Sequence, residues 1–153
     1  MARTWLQIRV DLLGGRDIVC DPPPGRVMMV GPGHTFADFA ESIDEAFARW
    51  DVSHLHTFEL ADGRLIGFPD PDWDELEWLD HEVLKVAAEV KPGDEFSYTF
   101  DLGDDWRHRC HVLGEKVDPF EEYGLTPKRP VAISGWGWIP DQYGRKTFDD
   151  DEV

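Results

Sequence analysis

The chain has 153 residues, 41% apolar and 12% aromatic, which suits one domain with a real hydrophobic core and argues against disorder. Its 32 Asp and Glu against 15 Lys and Arg give a formal charge of -17, a surface that repels phosphate backbones and acidic membranes. Cys20 and Cys110 are too few for a disulfide scaffold or a zinc ribbon, and no apolar run approaches a membrane span; free thiols in a soluble, cytoplasmic protein are expected.

Trp5 to Leu12 is an aliphatic, partly alternating run that reads as a first strand, broken by Gly14-Gly15. Ile18 to Cys20 reads as an edge segment, Pro22 to Gly25 as a loop, and Arg26 to Val30 as another short strand. Thr35 is a good N-cap, with Asp38 three residues on as a shortened capping-box acid. Behind it Phe36, Phe39, Ala40, Ile43 and Phe47 recur at offsets of three and four. They form one apolar stripe on a helix over about 35–49, with Glu41, Asp44, Glu45 and Arg49 on the wet face.

Ser53 to Leu60 reads as a strand, Asp62-Gly63 as a tight hairpin turn and Leu65 to Phe68 as the returning strand. Asp70 to Asp74 imitates the opening of a calcium loop. Glu75 stands where that loop needs Gly and His81 where it needs Glu, so a solvated acidic loop is expected. Glu77 to Val90 predicts a short helix or two near Leu79, Val83, Leu84 and Ala87. Ser134 to Pro140 is too aromatic for a linker and is expected to pack back on the sheet. Asp149 to Glu152 reads as a frayed acidic tail, leaving residues 1–147 as a single domain and 148–153 as the tail.

The stretch around which these elements are organised is Phe96 to Leu113, which alternates, turns at Gly103-Asp104-Asp105 and alternates again. A two-residue loop would set Phe100 opposite Arg107, a charge on the apolar face. A three-residue loop pairs Leu102 with Trp106, Phe100 with His108, Tyr98 with Cys110 and Phe96 with Val112, and is the expected register. The fold class read from these elements is α+β: an antiparallel β-sheet of hairpins with one main amphipathic helix packed on it.

Three stretches carry a resemblance. They are Trp50-Asp51-x-Ser53-His54-Leu55-His56-x-Phe58, Tyr98-x-Phe100-Asp101-x-Gly103-Asp104-x-Trp106-x-His108, and Pro140-Asp141-x-x-Gly144. In this order they resemble the plasmid pRiA4b ORF-3-like family over roughly Trp5 to Gly144. The resemblance implies an α+β fold with an antiparallel sheet and a packed helix, and names no activity. Many relatives carry cysteines near the last motif; here Ile139 to Gly144 has none, so no thiolate metal site is implied there.

His54 and His56 lie two apart on an expected strand, so both rings share a face, a spacing that zinc sites use. His108 and Asp104 would complete a metal or pocket cluster if the two hairpins adjoin, with Asp101, Trp106 and Trp50 in support. Histidines bonded to Asp101, Asp104 or backbone carbonyls leave the same sequence trace, and this structural reading is the expected one. Asp104 and Asp105 read as turn residues, since an Asp side chain caps a tight turn, and Cys110 as an inert buried thiol. The functional expectation is a non-catalytic binding module with an acidic surface and no cofactor. Its exposed aromatics, among them Trp73, Trp78, Trp136 and Trp138, would meet a basic protein partner. The second reading is a small enzyme using a divalent metal such as zinc on the His/Asp cluster.

The charge of -17 and the lack of any Lys/Arg cluster predict weak binding to DNA and RNA at physiological salt. A gel-shift titration with duplex DNA should show no salt-sensitive complex at micromolar protein.

Overall fold

A computed structural model describes residues 3–69, 78–124 and 126–144. The expected acidic loop at Asp70 to Asp74, Trp73 within it, and the acidic tail at Asp149 to Glu152 lie outside the described residues.

The described strands are β1 (Thr4–Gly15), β2 (Ile18–Val19), β3 (Gly25–Val30), β4 (His56–Glu59), β5 (Leu65–Gly67), β6 (Trp78–Asp80), β7 (Glu95–Phe100), β8 (Trp106–Val117) and β9 (Val131–Trp136). They form one sheet in the order β6-β5-β4-β7-β8-β1-β3-β9, with β2 paired to β1. The two twelve-residue strands, β1 and β8, lie side by side at its centre. Alternation puts Leu6, Ile8, Val10 and Leu12 of β1 and His108, Cys110 and Val112 of β8 on the inner face, all buried. Every pairing is antiparallel except β5 with β6, so the sheet is mixed and not built of hairpins alone. The segment expected to be helical near Leu79 supplies that parallel strand, because Trp78 to Asp80 pair with Leu65 to Gly67. What remains of the expected helix is the single turn α2 (Val86–Glu89). Ser134 to Trp136 do return to the sheet, as the end of β9 on β3.

Helix α1 spans Phe36–Ala46 and is shorter than the expected 35–49. Thr35 caps it with a complete capping box: its hydroxyl accepts from the Asp38 amide, and the Asp38 carboxylate accepts from the Thr35 amide. It ends at Phe47, and Ala48 then turns away with φ 58°. The whole apolar stripe is buried, Phe47 included. Phe36 meets Phe58 edge-on at 5.0 Å, Phe39 stacks on Phe58 at 5.8 Å, and Phe47 meets the His108 ring at 5.1 Å. The wet face is a different matter. Glu41 and Glu45 are exposed, but Asp44 and Arg49 are buried, at 5% and 4% exposure.

The β7–β8 register departs from the expectation by two residues. Phe100 pairs with Trp106, Tyr98 with His108 and Phe96 with Cys110, leaving a five-residue loop from Asp101 to Asp105. The inner face is as expected because a two-residue slip preserves parity. The longer loop is set by Asp101, not by Asp104 or Asp105. Its carboxylate accepts the Gly103 and Asp104 amides at 3.1 and 3.2 Å, and its carbonyl accepts the Asp105 amide at 2.6 Å. Asp101 and Asp105 both take positive φ, 60° and 61°, which ends the ladder on either side of the loop.

Phe39 sits between Phe58 and Phe96 with no exposed surface, and Phe100 is equally enclosed. Truncating either to Ala should cost about 3–5 kcal/mol in urea-unfolding measurements. A cost below about 1 kcal/mol would show that the core packs differently.

Candidate functional site

The strand carrying the two predicted histidines begins later than expected, at His56. Asp51 prevents an earlier start by accepting the Ser53 amide (3.2 Å) and hydroxyl (2.6 Å), which folds residues 51–53 into a turn. His54 therefore lies outside the ladder, and the two rings are held separately.

His54 belongs to a polar junction where the three motif stretches meet. The Tyr143 hydroxyl donates to Asp51 Oδ2 at 2.8 Å and also bonds His54 Nε2. Tyr143 has one proton, and it goes to the carboxylate, so His54 Nε2 is the donor to the phenol oxygen. Asp101 Oδ2 stands 3.6 Å from His54 Nδ1. Hydrogen bonds from Ser53 and Tyr143 hold the Asp51 carboxyl down to about 2, while the bond to Asp51 pushes Tyr143 up to about 12. Gln142, fully buried, clamps the same turn: its Oε1 accepts the Trp50 and Asp51 amides, both at 3.0 Å, and its Nε2 donates to the Asp51 carbonyl at 2.7 Å. Trp50, half exposed, meets the Tyr143 ring edge-on at 5.1 Å. Asp104 faces Arg16 at 3.8 Å.

His56 pairs instead with His81, Nε2 to Nδ1 at 2.8 Å, beneath Phe68. One ring must donate and the other accept, so the accepting ring is neutral and the pair cannot hold two protons on the shared nitrogens. Burial, reinforced by His81, pushes His56 down to about 4, and burial lowers His81 as well. His108 is enclosed in the core. Its Nδ1 donates to the Tyr98 carbonyl at 3.1 Å, and burial pushes it down to about 3. His54, His56, His108 and Asp104 thus have four different sets of partners and form no common ligand set. Among the described residues no group of three or more His, Cys, Asp or Glu side chains is placed to hold a metal ion.

What the structure brings together is a cleft of about 440 Å³ beside the C-terminal half of α1. Asp44, Arg49, Val52, His54, His56 and Phe68 line it. Asp44 Oδ1 accepts the Tyr98 hydroxyl at 2.7 Å, and no donor among the described residues bonds Oδ2. Burial raises Asp44 to about 7, against the opposing pull of the Tyr98 bond and of Arg49. Arg49 donates Nε to the Phe47 carbonyl at 2.9 Å and Nη2 to the Pro140 carbonyl at 2.5 Å. Its guanidinium lies over the Trp106 ring, 4.6 Å from the centroid, and Nη1 is buried without a partner. Sequence reasoning placed both residues in solvent. The one available signal is that Asp44 falls four residues after Ala40 and three before Phe47, on the flank of the apolar stripe.

An inner face capped by one helix, with a polar cleft at the helix end, defines an α+β domain of the kind the three motifs imply. The family model of the plasmid pRiA4b ORF-3-like protein matches residues 5–142, and the chain belongs to that family. Among solved structures the chain is similar to a protein of unknown function, MM3350, from Methanosarcina mazei Go1. The two are 20% identical with a TM-score of 0.71, over 88% of this chain and 71% of that one, a likeness of fold. A comparison with curated proteins gave no match. No helix among the described residues is long and apolar enough to cross a membrane.

The buried groups give the fold a two-sided pH dependence. Unfolded imidazoles take up protons near 6.5, whereas His56 in the fold waits until about 4 and His108 until about 3. The unfolded chain therefore binds more protons in that window, and stability falls as pH drops below 6.5. Asp44 acts oppositely, since the folded chain holds a proton there from about 7 down to 3.8, a contribution lost as pH rises through 7. Asp44→Asn removes that opposition. Urea-unfolding free energies measured from pH 6.5 to 4 should then fall more steeply for the variant than for the parent, by up to about 1.4 kcal/mol per pH unit. Equal slopes would mean Asp44 is ionised throughout.

Proposed function

We propose that this chain is a non-catalytic binding module whose cleft receives a positively charged side chain from a basic protein partner. The observation that carries this reading is Asp44, a buried carboxylate lining the cleft with only one of its oxygens committed, to Tyr98. A buried carboxylate costs free energy unless it is protonated or paired, and Asp44 takes the first course near pH 7. An ammonium or guanidinium group at Oδ2 supplies the second. Glu41 and Glu45 stand at the rim, held in the free chain by Arg129 at 2.7 and 3.2 Å, an exposed arrangement that an incoming cation can replace at little cost. Phe68 and Val52 offer apolar surface to the methylene stem of such a side chain.

Pairing with a cation requires Asp44 to give up its proton, so affinity for a lysine-containing peptide should rise between pH 6 and pH 8 in calorimetric titrations. Asp44→Asn should weaken binding about tenfold or more and flatten that dependence. Glu59→Gln, the same charge change on an exposed residue of the opposite sheet face, should do neither. Equal weakening by the two variants would reduce the effect to net charge, and the proposal would fail.

A further inference from the structure

Arg49 adds a second demand that a lone cation does not meet. Among the described residues no carboxylate lies in ion-pair contact with it, though Asp141 and Asp44 act on it from further away. Two of its nitrogens are fixed by carbonyls and its plane is fixed on Trp106, so the remaining Nη1 is a preorganised donor with no acceptor. Arg49 and Asp44 both line the cleft, the Asp44 Oδ2 is uncommitted, and no ion pair joins the two side chains. The turn that closes α1 keeps them neighbours: past Ala48, the Arg49 amide donates to the Asp44 carbonyl at 2.7 Å. A bare ammonium entering this site would satisfy Asp44 while adding positive charge beside a buried guanidinium. A ligand that brings a carboxylate with its cation satisfies both walls and cancels the repulsion.

Resting on the function proposed above, we infer that the cleft recognises the end of the partner chain: a C-terminal lysine or arginine, its α-carboxylate against Arg49 and its side-chain cation against Asp44. An internal lysine offers only the cation. A C-terminal lysine carries both charges on one residue, and its flexible stem can adapt to the spacing of the two walls. A cleft of about 440 Å³ is ample for one such residue. Truncating or lengthening the partner by one residue would then abolish recognition, which makes the site a reader of chain ends.

The test varies the peptide, because Arg49 also ties Pro140 to the helix end and its replacement risks the fold. Three peptides of one sequence are titrated calorimetrically into the full chain at pH 8. One ends in lysine with a free carboxylate, one in lysine amide, and one in norleucine with a free carboxylate. The expected result is that the lysine acid binds at least tenfold more tightly than either of the others. Equal affinity of lysine acid and lysine amide would overturn the chain-end inference while leaving the cation reading intact. Equal affinity of lysine acid and norleucine acid would overturn both, as would binding by none of the three.

Discussion

Arg49 is the point at which the molecule's separate parts are fastened. Its guanidinium lies over Trp106 of β8, and its nitrogens reach the Phe47 carbonyl at the end of α1 and the Pro140 carbonyl of the C-terminal segment. A guanidinium taken this far from water carries a desolvation cost of several kcal/mol, so its geometry must recover that cost through hydrogen bonds and the aromatic face. Two carbonyls and an indole do most of this. The unpaired Nη1 leaves a buried donor whose lack of an acceptor costs about 1–3 kcal/mol. On the function proposed above, that residual cost would be released when a ligand supplies the acceptor.

The neighbouring contacts explain why the rest of the site is ordered. Gln142 directs both ends of its amide at the backbone of the Trp50–Asp51 turn. That turn in turn presents Asp51 to Tyr143 and, through Tyr143, fixes His54. The three motif stretches, far apart in the chain, thus converge on one junction: Asp51 and His54 from the first, Asp101 and Trp106 from the second, Pro140 with Gln142 and Tyr143 from the third. These residues look like ligands or catalysts when read singly. Their contacts show them bracing the loops that border the cleft, while Asp44 and Arg49, outside the quoted motifs, supply its buried charges and Glu41, Glu45 and Arg129 those at its rim.

Much of the fold was legible because its signals are local. The Phe36, Phe39, Ile43 and Phe47 stripe needs only the helical period, and the Thr35–Asp38 box needs only four residues in a row. Alternation along Trp5 to Leu12 and Phe96 to Val112 identifies the inner faces, since a strand shows its two sides with a period of two. What failed was equally physical. The hairpin loop is five residues long because the Asp101 carboxylate stabilises a turn that residue type alone does not specify. The helix near Leu79 became a strand because β5 offered an unpaired edge there.

The sequence by itself determined the family, the helix, the inner faces of the long strands and the absence of a cysteine framework. All of these follow from periodicity, composition and motif order along one stretch of chain at a time. Only the tertiary structure decided which polar residues are buried and whom they meet. Asp44 finds Tyr98 across 54 positions, His56 finds His81 across 25, and Arg49 finds Pro140 across 91. A carboxylate or guanidinium on a helix flank reads as solvated until a distant strand closes over it. The free energy of that burial depends on partners that sequence proximity does not reveal.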